Sequence, residues 1–241
     1  MNFHPYIRTL LFLSVAVFML PMCLFAQDVE IPNPGSPLVV DEFAQLPCDE
    51  FLGRMDNFFY QIEKIPEKSA EMIGIAFISI DPKQKYKSVI AQQTMENYIR
   101  LRRFPKDKIK IVRTNTDQDL YFRFWIWASD AALPDFGKID DSLVFPSDLA
   151  KPFLLTTEDE FEACPDDRSQ PFSDFLKANP GSRGNIVIRK SSTRAAAKMM
   201  KDLSKSMTEK YKISRDRLRF FLVKPDPNSP NLPTIEYWYL P

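Results

Sequence analysis

The sequence predicts a mixed α+β fold made of two tandem βαβαββ units, each a mixed sheet with helices packed on it. Three observations predict it. An apolar share of 44% across 241 residues supplies a substantial core. Short β-branched or aromatic runs alternate with longer helix-compatible stretches. The same order of features then occurs twice along the chain.

The first unit opens at Asp41-Glu42-Phe43 followed by Cys48, and the second at Asp159-Glu160-Phe161 followed by Cys164. First strands are expected near Leu38 to Asp41 and Phe153 to Thr156. Each cysteine leads into a helix-like stretch, Asp49 to Ile65 and Pro165 to Ala178, stopped near Pro66 and Pro180. Second strands follow at Ile73 to Ile78 and Gly184 to Ile188, short and rich in β-branched residues. Second helices are expected over Lys85 to Arg103 and Thr193 to Tyr211. In the latter, Ala196, Met199, Met200, Leu203 and Met207 recur at helical spacing and predict a core-facing stripe.

The closest match lies after those helices. Lys106-Asp107-Lys108-Ile109-Lys110-Ile111 repeats the charge and apolar order of Arg215-Asp216-Arg217-Leu218-Arg219-Phe220. The last strands, Arg123 to Trp127 and Glu236 to Leu240, are expected to form antiparallel hairpins with the strands before them. The two helices of each unit read as right-handed crossovers. Domain bounds follow: a leader over 1–26, a first unit over 27–128, a connector over 129–152 with Pro134, Gly137 and Pro146, and a second unit over 153–241. The Pro-rich stretch from Lys224 to Pro233 reads as an insertion in the second unit.

Residues 1–26 have the layout of a secretory signal peptide: Arg8, an apolar stretch from Leu10 to Leu20, then Ala26 before Gln27-Asp28. Lipidation at Cys23 and retention as an anchor are the two other fates this segment allows. A periplasmic or secreted location is the expectation. His4 is the only histidine, so a cleaved chain has none. Ser-His-Asp and Cys-His nucleophiles and histidine-containing zinc sites are then excluded. Cys48 and Cys164 suggest one disulfide in an oxidising compartment, worth about 4–5 kcal/mol by chain entropy, with two buried free thiols as the alternative.

Charge is balanced at 32 basic and 32 acidic residues, which gives no electrostatic case for nucleic-acid binding. Six glycines leave little material for phosphate-cradling loops, and no P-loop, dinucleotide glycine motif, nucleophile elbow or EF-hand loop is present. No Cys-x-x-Cys motif supports thiol-redox work. No catalytic residue, metal site or cofactor is therefore expected. Tyr121, Arg123, Trp125 and Trp127 share one strand face, with Phe122, Phe124 and Ile126 on the other, which fits a strand covered on both sides, with a stacking platform for sugars or peptide as the alternative. Arg123 and Glu236 occupy equivalent positions, either pairing across a pseudo-twofold interface or facing solvent. Basic residues cluster at Arg100 to Lys110 and Lys210 to Arg219. They read as internal complementarity and solvated faces, or as a surface for an anionic envelope polymer.

This order of elements resembles the OmpA-like C-terminal domain, a bacterial envelope module that grips peptidoglycan. The resemblance implies an aspartate just after the second strand and an arginine in the second helix, within N-x-x-L-S-x-x-R-A-x-x-V, holding the diaminopimelate carboxylate and amine. The first copy has Asp81 there, but Ile90 precedes Ala91. The second has Arg194-Ala195, but Lys190 and Ser191 stand in place of the aspartate. Asp81 and Arg194 are thus the candidate ligand-binding residues, split between the copies. The expected role is a non-enzymatic envelope protein that recognises cell-wall material or a protein partner. A carboxylate-dependent wall hydrolase, with two acids across a cleft, is the alternative.

Overall fold

Phe51, Met55, Phe58, Phe59 and Ile62 return to one helix face, and they form the buried stripe of α1 (Cys48–Glu63). Asp49 and Glu50 in its first turn suit the positive end of the helix dipole. The structure, a computed structural model, describes residues 37–65, 72–128, 132–145, 151–159, 167–190, 193–224 and 234–241. The expected signal peptide, His4, Cys23, Cys164 and nearly all of the Lys224 to Pro233 insertion lie outside them. The described residues all fall in a single compact unit.

Before α1 runs β1 (Leu38–Ala44), and after it β2 (Met72–Ile80), α2 (Lys85–Leu101), β3 (Ile109–Asn115) and β4 (Tyr121–Ala128). A two-residue strand follows, β5 (Lys138–Ile139). The second half repeats the order with β6 (Phe153–Asp159), α3 (Ser169–Ala178), β7 (Arg183–Arg189), α4 (Thr193–Lys205), β8 (Leu218–Val223) and β9 (Thr234–Leu240). A π-helical turn, Ser206–Lys210, extends α4. The first sheet has the order β1-β4-β2-β3-β5 and the second β6-β9-β7-β8, so the fold is α+β with two mixed sheets.

The sheet order corrects the expected hairpins. β4 does not pair with β3; it lies between β1 and β2, antiparallel to both. β9 likewise lies between β6 and β7. The reason is visible in composition. β4 buries Phe122, Phe124 and Ile126 on one face and half-buries Trp125 and Trp127 on the other. Such a strand belongs in the middle of a sheet. β3, with Lys110 exposed, tolerates a place next to the sheet edge, flanked on its far side only by the two-residue β5. To reach its place the β3–β4 connection crosses the end of β2, where Thr116 N donates to Ile80 O at 3.0 Å and Asp81 N to Gln118 O at 2.9 Å. The α2 crossover does join neighbouring parallel strands, β2 and β3, and α4 joins β7 and β8.

The two halves match in detail. Parallel pairing starts at Gly74↔Ile109 and at Gly184↔Leu218. The first strand of each half carries a register shift, Val39/Asp41 and Leu154/Thr156. A 3-10 turn precedes β3 (Lys106–Lys108) and β8 (Arg215–Arg217). Arg103 (φ 55) and Lys212 (φ 59) each sit three residues before that turn, in the left-handed region that ends a helix. Both glycines admit the preceding helix. A Cβ on Gly74 would lie 2.3 Å from Ile62 Cδ1, and one on Gly184 2.3 Å from Phe172 Cζ.

The connector is more than an extended spacer. Leu133 and Phe136 cover the outer face of the first sheet over Ile75, Phe77 and Val112. Phe136 meets Phe77 at 4.9 Å and Trp125 at 5.1 Å. β5 pairs with Thr114 and Asn115. Phe145 is buried in the second core beside Phe175 and Tyr239. Helix α2 also serves both halves: Ala91, Met95 and Ile99 enter the first core, while Tyr86, Val89 and Ile90 pack against the second. Apolar residues spaced through a Pro- and Asp-rich segment explain why it is drawn inward.

Candidate binding clefts

The end of β1, the start of α1 and one face of α2 meet β6 in a cleft of about 470 Å³. Gln45, Leu46 and Cys48 line one side, Tyr86, Lys87, Ile90 and Thr94 the floor, and Leu154 to Thr157 with Arg168 the far side. Its only charged described residues are the cations Lys87 and Arg168, and Arg168 is buried. Burial pushes the Tyr86 phenol up, so the ring stays neutral there. A second groove of about 920 Å³ runs between α4 with its π turn and β8. It holds Lys201, Lys205 and Arg215 against one carboxylate, Glu209. Among the described residues, no group of three or more His, Cys, Asp or Glu could hold a metal, and no helix is long and apolar enough to cross a membrane.

Asp81 lies just past β2, where its carboxylate accepts from Lys83 N at 2.8 Å and caps a 3-10 turn. Arg194 lies exposed in the first turn of α4, in the other half. Among the described residues no hydrogen bond or ion pair joins the two. Ile90, at the position the OmpA-like motif gives to arginine, lines the first cleft. Cys48, at the start of α1, is half-buried. Cys164, its expected partner, is outside the described residues.

Several polar constellations escaped sequence reasoning. Asp140, just after β5, accepts from Lys85 Nζ at 2.9 Å and Asn115 Nδ2 at 2.8 Å. Lys85 is buried and also donates to Val144 O at 2.8 Å. Burial alone would raise Asp140, but the bonds from Asn115, Lys85 and Ser142 N, with the Lys85 charge, outweigh it and hold the carboxyl at about 2. Arg217, in the basic cluster, is an internal cap: its guanidinium donates to the carbonyls of Leu176 (2.6 Å), Asn179 (2.9 Å) and Ser182 (2.9 Å) at the end of α3. Lys210 and Tyr211 bond Asp167, and Arg102 bonds Asp56. Arg102, Lys210 and Arg217 of the basic clusters are thus complemented internally. Partners 25 to 59 positions apart in the chain leave no local signal.

Arg123 and Glu236 do not meet. Arg123 donates to Ser79 Oγ at 2.9 Å and lies 3.8 Å from Glu42. Glu236 accepts from Arg189 Nε at 2.5 Å and Trp238 Nε1 at 2.9 Å. Each is satisfied within its own sheet, because equivalent positions on two separate sheets face different neighbours.

Fold and clefts together define a two-sheet α+β protein of duplicated architecture with cationic surface clefts. No protein-family model, curated protein or solved structure matches the chain.

Proposed function

We propose that the chain is an exported, non-catalytic binding protein of the cell envelope that recognises an anionic partner, cell-wall material or an envelope protein, through the cleft between β6 and α2. One observation carries this reading: the cleft's described lining sets Lys87 among the hydroxyls of Tyr86, Thr156 and Thr157 and apolar walls, with no carboxylate among its described residues. Such a lining attracts and orients an acidic group, whereas a wall hydrolase needs two carboxyls facing each other. The element order, met twice, supports kinship in architecture with the OmpA-like module. The split of Asp81 and Arg194 between halves supports a different binding face. A cleaved leader over 1–26 and a Cys48–Cys164 bridge belong to the same proposal and suit a periplasmic or secreted protein.

The test is co-sedimentation of the purified chain with peptidoglycan sacculi at low and high salt, alongside Lys87→Glu, Asp81→Ala and Arg194→Ala variants. Salt-sensitive binding lost in Lys87→Glu supports the cleft. Salt-resistant binding lost in Asp81→Ala or Arg194→Ala would move the site to the OmpA-like positions. No sedimentation would remove cell-wall material and leave a protein partner.

A further inference from the structure

β8 is the outer strand of its sheet among the described residues, whereas its counterpart β3 is not. In the first half, β5 pairs antiparallel with Thr114 and Asn115 and closes that edge. The matching register places Val223 and Lys224 at the positions of Thr114 and Asn115. There Phe221, Leu222 and Val223 are 42%, 40% and 38% exposed. An outer strand with apolar side chains on both faces is open to the addition of another strand.

The first half also shows what chemistry its closing segment carries. Asp140 follows β5 directly and is held by Asn115 at the end of β3 and by Lys85, the first residue of α2. At the corresponding places in the second half stand cations that no acid of a β5-like strand meets among the described residues: Lys224 just past β8 and Arg194 in the first turn of α4, both exposed. Arg219 is exposed on the strand itself. The neighbouring groove, walled by Leu218 and Phe220, adds Lys201, Lys205 and Arg215 against the single carboxylate of Glu209. This edge is therefore apolar in the middle and positive around it.

We propose that β8 is a strand-addition site for an extended segment of a partner protein, apolar and carrying at least one carboxylate, which takes in the second half the place β5 holds in the first. A second copy of this chain is the poorer occupant. Pairing β8 with itself would crowd Arg215, Arg219 and Lys224 of two copies around one short ladder, and like charges across a ladder destabilise it.

The probe is a capped peptide with the sequence of residues 133–141, Leu-Pro-Asp-Phe-Gly-Lys-Ile-Asp-Asp, added to the purified full chain and read by amide hydrogen exchange. Saturating peptide is expected to slow exchange in β8 at least tenfold. Protection should fall several-fold when both terminal aspartates of the peptide become asparagine. It should also be lost in the Arg219→Glu, Lys224→Glu double variant and in Phe221→Ser, all exposed positions that leave the cores intact. Unchanged β8 exchange at millimolar peptide, or equal protection by the asparagine peptide, would overturn the proposal. Protection of β8 without peptide in a dimeric chain would overturn it in favour of self-pairing.

Discussion

Replacing Gly184 by alanine tests the packing that recurs in both halves. The new methyl would lie 2.3 Å from Phe172 Cζ and 3.3 Å from Leu176 Cδ1, where ordinary contact begins at 3.4 Å. Phe172 must therefore retreat by about 1 Å. It has nowhere easy to go, since both side chains are 0% exposed and the Phe172 ring sits 5.2 Å from that of Tyr237. Over-packing of this kind costs about 1–3 kcal/mol, against about 0.5–1 kcal/mol regained by removing a flexible glycine from a strand. A net loss of about 1–2 kcal/mol is expected for Gly184→Ala. Gly74→Ala should cost less, about 1 kcal/mol, because the nearest atom there is the free end of Ile62, with Phe58 Cζ at 2.8 Å. Urea unfolding with linear extrapolation reads both values. A Gly184→Ala variant within about 0.5 kcal/mol of the parent would show that α3 does not press on β7 at this point.

Three further outcomes follow from the polar constellations. Asp140 sits below its ordinary 3.8, at about 2, so its contribution is present above about pH 4 and lost as pH falls toward 2. Discounted for partial exposure, it amounts to about 1–2 kcal/mol, and Asp140→Asn should flatten the acid limb of a stability–pH curve over that window. Arg217→Met should cost about 2–4 kcal/mol, because it strips the α3 carboxyl end of three charge-assisted bonds, and thermal unfolding measures it; an unchanged midpoint would refute the capping role. Tyr237 is fully buried, its hydroxyl bonded to Ser169 Oγ at 3.0 Å and Glu158 at 2.9 Å, and burial beside Glu158 raises its pKa far above the ordinary phenol range. Tyr237→Phe should cost about 1–2 kcal/mol in denaturant unfolding, and should leave the alkaline tyrosinate titration of the folded protein unchanged in its native range.

The amino-acid order alone determined the elements and their duplication. The apolar spacing of α1, the β-branched run of β2 and the matched charge order before β3 and β8 are all short-range patterns, and secondary structure follows such patterns because it is built from neighbours. The two-sided aromatic strand β4 was legible for the same reason. The strand order was not. A hairpin between the last two strands is the local choice, and only competition among all strands for the central place moved β4 between β1 and β2. The connector's role was hidden likewise, since Phe136 and Phe145 acquire meaning only from the faces they cover. The candidate residues Asp81 and Arg194 came from a motif likeness, and the fold places them in separate halves. The cleft cations Lys87 and Arg168, the buried Lys85–Asp140 pair and the Arg217 cap unite residues far apart in the chain. Which charges meet across such distances is decided by tertiary packing, because burial makes an unpaired polar group costly and so selects its partner in space rather than in sequence.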